Sequence, residues 1–305
     1  SDRMRRSGKK LPTRQFVKIA HRWKLLSTVL TFLTGGYGTI YKATSSRGVQ
    51  VVLKEVILAN QEEEEVQVTR KEAQLLSSLS HPHIIRYVDH WETPDLLTIA
   101  MEYAEGGSLE KVISKRESHF EETEALKIFV EVVAAVEYLH RKEIIHRDIC
   151  ARNVLVCSTG VIKLCDFGVS KRMRSVRTGS LKGDPSHFAP ELCYGGKYVQ
   201  FDQSHWGCSE ETDMWALGCL LHHLLSLRPL FKSPTIAALL VTILADPVPP
   251  LPPSYSAALE SLIFSLLSHE PWQRPRARVL LSHPLLSLHL QSLHLAHSSL
   301  QPSSI

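Results

Sequence analysis

The chain has 305 residues, of which 44% are hydrophobic and 22% charged, with a formal net charge of +4. That balance is ordinary for a soluble globular protein with one large domain or two lobes, and it gives no reason to expect a nucleic-acid partner. No apolar run approaches the ~18 residues of a membrane span, and no signal peptide is visible.

Cys150, Cys157, Cys165, Cys193, Cys208 and Cys219 lie in predicted strands, helices and one polar loop. They do not form a loop-rich disulfide framework, so a reducing, intracellular setting is expected, cytoplasmic with the nucleus as the alternative. Cys193, His205 and Cys208 lack an obvious fourth ligand and a paired CxxC, so zinc is not expected. The first residue is serine, which fits an excerpt or a processed product.

Residues 1–22 are rich in Arg and Lys with few acids. They read as a solvated basic extension, with contact to an acidic partner or a membrane surface as the sharper alternative. From Trp23 the pattern is β-like. LTFLTGGYGTIYKA carries β-branched and aromatic residues on both sides of a glycine turn, and VVLKEV follows at strand-pair distance. EEEEVQVTRKEAQLLSSL reads as a helix whose acidic first turn suits the helix dipole. HPHIIRYVDHW and LLTIAMEY read as two further strands. EETEALKIFVEVVAAVEYLH has apolar residues at helical spacing. HRDICARN then sets Asp148 five positions before Asn153, and the strands of VLVCSTGVIKLCDFG end in Asp166.

These motifs resemble the protein kinases, whose catalytic loop is HRDxxxxN and whose metal-binding loop is DFG. The resemblance covers about residues 23–285. It implies an α+β, bilobal fold with a small, mostly β N-lobe (23–101) carrying one key helix, a hinge (102–104) and a larger, mostly α C-lobe (105–285). A Leu/His/Ser-rich tail (286–305) follows, read as a frayed end helix with an amphipathic docking helix as the alternative. The implied cofactors are ATP and Mg²⁺, and the implied partners are protein substrates.

The resemblance also implies roles. Asp148 orients the substrate hydroxyl and accepts its proton. Asn153 and Asp166 hold Mg²⁺, Lys54 of VVLK holds the phosphates, and Glu72 pairs with Lys54. Leu33, Gly35, Gly36, Gly38, Ile40, Val52, Met101, Glu102, Ala104, Ser108 and Leu155 line the nucleotide. Leu33 stands where the family has the first glycine of its phosphate loop. Leu76, Tyr87, His146 and Phe167 match the internal apolar column. Asp213 matches the residue that holds the catalytic-loop backbone, and Arg274 the partner of Glu191. The stretch from Asp166 to Glu191 resembles an activation segment, with Ser180 the first phosphosite candidate and Thr178 and Ser175 the next. Arg147 implies a basic pocket for such a phosphate, added by an upstream activating kinase. YGGKYVQFDQSHWGCSEE, residues 194–211, reads as a surface insertion.

VVLKEV, HPHIIRY, MEYAEGGSL and SLKGDP look most like the NIMA-related serine/threonine kinases. Two departures are related. Cys150 replaces the usual lysine two residues after the catalytic acid, and Asp184 replaces the usual threonine before APE. Arg152 sits where tyrosine kinases carry arginine, and it is expected to supply the missing charge and pair with Asp184. Phosphoryl transfer to serine or threonine is the favoured reading. Tyrosine or dual specificity, and a weakly active or pseudokinase scaffold, are the alternatives.

Overall fold

The structure is a computed structural model that describes residues 23–25, 39–45, 48–59, 61–168, 170–172, 184–193 and 209–299. The chain divides into two compact units, one of residues 1–73 and 87–103, the other of residues 74–86 and 104–305.

The first unit is built on a five-stranded antiparallel sheet in the order β1-β2-β3-β5-β4. Its strands are β1 (Trp23–Leu25), β2 (Thr39–Ser45), β3 (Gln50–Ile57), β4 (Tyr87–Thr93) and β5 (Leu96–Glu102). Register sorts its side chains by face, because directly opposed residues of antiparallel strands point the same way. Ala43 opposes Val51, and Leu53 opposes Ala100. These four are buried and form the core of one face, with Tyr41, Val88 and Trp91 packed around them. Ile40 opposes Lys54, and Val52 opposes Met101, so these four share the other face. Helix α1 (Glu63–Ser77) runs on from the sheet with Glu72 on its buried side.

HPHIIRYVDHW is not one strand. Regular pairing begins only at Tyr87. Pro82 has no N–H to give a ladder, and Ile84 instead makes an isolated parallel bridge to Leu164 of the second unit's β9 (Ile162–Leu164).

The second unit is mostly helical. Helix α2 (Leu109–Ser114) is followed by α3 (Glu122–Arg141), which has Glu122 and Glu124 in its first turn and His140 and Arg141 in its last. Both ends complement the helix dipole. After α4 (Pro190–Cys193), helix α5 (Glu210–Ser226) buries all of Thr212–Leu225. It has no charged residue after Asp213 until it ends, as suits a helix surrounded by protein. Ser209 stands at its N-cap position and Glu210 and Glu211 open its first turn, so the predicted 194–211 insertion is too long at its C-terminal end. Residues 194–208, with His205 and Cys208, lie outside the described residues. Helices α6 (Ile236–Ala245), α7 (Ala257–Leu266), α8 (Ala277–Leu281) and α9 (Pro284–Ser299) complete the unit. Helix α9 packs on α3 and α8, so the expected tail begins inside a helix. Among the described residues no helix is long and apolar enough to cross a membrane.

Two small sheets position the loops. β6 (Gly107–Ser108), β8 (Val154–Val156) and β9 form one, and β7 (Ile144–Ile145) with β10 (Lys171–Arg172) forms the other. The second pair brackets the chain between the catalytic loop and the residues after DFG.

Candidate active site

In the first unit, Lys54 Nζ donates to Glu72 Oε1 at 2.7 Å. Both side chains are buried, at 8% and 9% exposure, so this is a desolvated ion pair rather than a surface one. The pair exists because Lys54 sits on the sheet face opposite the Ala43–Leu53 core, with Ile40 and Ile99 as its cross-strand neighbours. Glu102 is the last residue of β5.

In the second unit, Asp148 and Asn153 lie within one loop. Asn153 Nδ2 donates to Asp148 Oδ2 at 2.6 Å and to its backbone oxygen at 2.9 Å. The amide nitrogen is therefore spent on Asp148, and the amide oxygen is what Asn153 has to offer a cation. Three residues in a 3₁₀ turn, Ala151–Asn153, bring the amide back over the acid. Cys165 N–H donates to Asn153 O at 2.9 Å, and Cys165 O lies 3.1 Å from His146 Nε2. Asp166, the next residue, is thus tied to the same loop. It takes a left-handed backbone, φ 64°, and its Oδ1 accepts from Gly168 N–H at 3.3 Å.

Asp213 organises the loop from beneath. Its carboxylate is fully buried and accepts from His140 Nε2 at 2.8 Å, His146 N–H at 2.9 Å and Arg147 N–H at 2.8 Å. Burial alone would raise its pKa. The His140 hydrogen bond, followed by the charges of His140 and His146 and the Arg147 N–H, outweighs burial and holds it below the ordinary carboxylate range. Arg147 beside it takes φ 72°, a strained value for a side-chain-bearing residue. The ring of His146 meets Phe167 edge-on, with centroids 5.1 Å apart.

Asp184 and Arg152 form the expected contact, Arg152 Nη1 to Asp184 Oδ2 at 3.2 Å. Asp184 also caps a 3₁₀ turn at Pro185–His187, where Ser186 N–H and Oγ donate to its Oδ1 at 3.0 and 2.7 Å. Burial raises its pKa, but the Ser186 donors, His187 and Arg152 together outweigh burial and lower it. Sequence reasoning missed a further link: Asp184 N–H donates to Asp148 Oδ1 at 2.8 Å. No residue pattern marks a backbone donor. Cys150 is buried, and burial together with the Asp148 charge pushes its thiol up to about 12. It is a neutral packing residue and supplies no charge.

Ser108 opposes Leu155 between β6 and β8, and Ala104 is buried. The Ser108 hydroxyl serves as the N-cap of α2, accepting from Lys111 N–H at 3.4 Å. Glu191 and Arg274 meet in a bidentate pair with both contacts at 2.8 Å. Leu33, Gly35, Gly36, Gly38, Ser175, Thr178 and Ser180 lie outside the described residues.

Residues 33–286 match the family described as protein kinase domain. Among curated relatives, Serine/threonine-protein kinase Nek4 of Mus musculus is 33% identical over 84% of this chain, which spans 32% of that protein. Serine/threonine-protein kinase Nek8 of Danio rerio is 35% identical over 78% of this chain, covering 34% of the relative. A Putative serine/threonine-protein kinase A of Trypanosoma brucei brucei is 32% identical over 83% of this chain and 58% of its own length. The chain thus spans well under two thirds of each of these relatives. With an acid and an amide paired in the HRDICARN loop, a buried Lys54–Glu72 pair and a family match over most of its length, this chain belongs to the protein kinase domain family.

Proposed function

We propose that the chain transfers the γ-phosphoryl group of ATP to serine or threonine hydroxyls of protein substrates. The observation that carries the reading is the Lys54–Glu72 ion pair at 2.7 Å. Protein kinases need that contact in place for transfer, and a desolvated lysine paired with a buried glutamate is what that chemistry uses to hold phosphate oxygens.

In this reading Asp148 receives the hydroxyl proton while the hydroxyl oxygen forms its bond to phosphorus and the bond to ADP breaks. Lys54 holds phosphate oxygens, and Glu72 keeps the ammonium in place. Asp166 and the Asn153 amide oxygen suit Mg²⁺, a hard cation that takes one or two protein oxygens and fills its shell with phosphate and water. Among the described residues no group of three His, Cys, Asp or Glu side chains is placed to hold a metal ion, and such a magnesium site needs none. Bound there, the cation would neutralise charge on the phosphates. On the first unit, Ile40, Val52 and Met101, on the Lys54 face of the sheet, and the backbone of Glu102 are the proposed adenine contacts, and on the second unit Ala104 and Leu155 are the proposed ones.

An upstream kinase acting at Ser180, Thr178 or Ser175, an intracellular setting, and contact of residues 1–22 with an acidic partner belong to the same proposal. The relatives named above, all serine/threonine kinases by name, support the hydroxyl class. The test is transfer from ATP–Mg²⁺ to generic protein substrates, with phosphoamino-acid analysis and Asp148→Asn as control. Label on serine or threonine that vanishes in the control is the expected result. Label on tyrosine would change the substrate class. No Asp148-dependent label, even after treatment with activating kinases, would favour a scaffold.

A further inference from the structure

We infer that Asp184 is a positioning residue for the catalytic base Asp148, acting through its own backbone N–H and held in place for that purpose by Arg152 and Ser186. The inference rests on the kinase reading of Asp148 and extends it to a residue at which the chain departs from its family's usual threonine.

The contacts close a ring. Asp184 N–H donates to Asp148 Oδ1 at 2.8 Å, while Asn153 Nδ2 donates to Asp148 Oδ2 at 2.6 Å. Each carboxylate oxygen therefore has one fixed donor and keeps lone-pair capacity for a hydroxyl. Two N–H donors on opposite oxygens fix the plane of the carboxylate as well as its position. One comes from the catalytic loop itself. The other comes from a residue 36 positions away.

The distant donor is only as well placed as residue 184. Two links fix it. The first is local: Oδ1 accepts both Ser186 donors and caps the 3₁₀ turn, with Pro185 setting the first φ. The second is long-range: Oδ2 accepts from Arg152, which belongs to the same short turn as Asn153. Both donors to Asp148 are thus tied, one directly and one through Asp184, to Ala151–Asn153. A threonine at 184 could cap the turn but would offer the guanidinium no negative charge. A carboxylate does both, because its two oxygens can be divided between the two tasks.

The chemistry makes the position matter. A general base must sit within hydrogen-bond reach of the hydroxyl, and a displacement of about 1 Å can lower a rate by on the order of a hundredfold. Asp184 does not touch ATP or the hydroxyl in this scheme, so its loss should appear in kcat and leave the KM for ATP unchanged.

The decisive comparison uses the whole chain carrying Asp184→Asn, Arg152→Ala, or both. Asparagine keeps the cap, the shape and the backbone N–H, and removes only the charge that Arg152 holds. We expect Asp184→Asn to lower kcat about tenfold or more, with the KM for ATP and the melting temperature unchanged. Arg152→Ala should lower kcat similarly. The double variant should fall no further than the worse single one, because both break one ring. Asp184→Glu, which restores the charge with a longer arm, should recover part of the loss. An active wild type whose kcat is indifferent to Asp184→Asn would overturn the inference and leave the kinase reading standing. So would losses that multiply in the double variant, or a loss matched by a fall in melting temperature. A wild type without Asp148-dependent transfer would overturn both.

Discussion

Acidification should destabilise the second unit, and His223 is the residue that makes this calculable. It lies in α5, is 7% exposed, and has a ring nitrogen, Nδ1, with no hydrogen-bond partner. Burial first, then the neighbouring His187 and His222, lowers its pKa to about 4. An exposed histidine titrates near 6.5. The unfolded chain therefore takes up the proton earlier than the folded one. The stability linked to His223 is fully present above the unfolded value and is lost as pH falls from about 6.5 towards 4. Between pH 7 and 5 the difference amounts to about 2 kcal/mol for this one ring. With a urea m-value of about 3 kcal/mol/M, the midpoint should fall by roughly 0.7 M over that interval. His187 and His222 are also lowered, chiefly by burial, and should steepen the fall. Urea titrations at the two pH values, followed by far-ultraviolet circular dichroism, would measure the drop in wild type and in His223→Leu. The leucine variant's stability at neutral pH is a separate quantity. What counts is the pH-dependent part, which should shrink by most of the 0.7 M. An undiminished drop in the variant would refute the reasoning.

Two further outcomes follow from burial and charge. Arg274 is fully buried and serves Glu191 through two nitrogens, besides the backbone oxygens of Ser268, Glu211 and His269. Glu191→Ala should cost about 3–5 kcal/mol by urea unfolding, and Glu191→Leu with Arg274→Met should recover only part of it, because three backbone oxygens then lose their donor, whereas a single-variant cost below about 1 kcal/mol would contradict the assignment. The Cys150 thiol, pushed up to about 12, should resist iodoacetamide at pH 8 in the folded chain and react once urea unfolds it. Mass spectrometry of the peptide carrying Cys150 reads both states, and equal labelling in the two would show that the thiol is not shielded.

What the sequence made legible was chemistry carried by side chains at fixed spacing. Asp148 and Asn153 stand five apart because one short turn must fold the amide back onto the acid. Lys54 and Glu72 could be matched through the resemblance, which pairs the lysine of VVLK with a glutamate on the following helix, and the structure shows that pair buried. Strand register was not legible, since Val51, Val52 and Leu53 are all apolar and only the pairing separates Val51 and Leu53 from Val52 and Lys54. Contacts made by the backbone were not legible either. The Asp184 N–H on Asp148 leaves no mark on residue type. Nor does Ser108 announce whether its hydroxyl caps a helix or faces a sugar. Only the start of HPHIIRYVDHW was misread: the strand begins at Tyr87, and before it Pro82 and the bridge of Ile84 to Leu164 give the chain other partners.

The two departures from the family pattern are better understood as one. Lysine is absent at position 150, and the thiol there is buried and neutral, so it cannot carry the positive charge that phosphates attract. Arg152 brings a cation to the same loop two residues later. In the proposed function a half-exposed guanidinium beside Asp148 is a hazard without a partner, since pairing with that carboxylate would occupy the oxygens that a hydroxyl needs. Asp184 removes that hazard by giving Arg152 a carboxylate at 3.2 Å while its own N–H secures Asp148. Threonine at 184 with arginine at 152 would leave the cation free to make the wrong pair. Aspartate at 184 with lysine at 150 would set the carboxylate against a shorter, more strongly hydrated charge that lacks the planar fork. Cysteine, arginine and aspartate are therefore mutually consistent at these three positions, and changing any one alone should be worse than changing all three together.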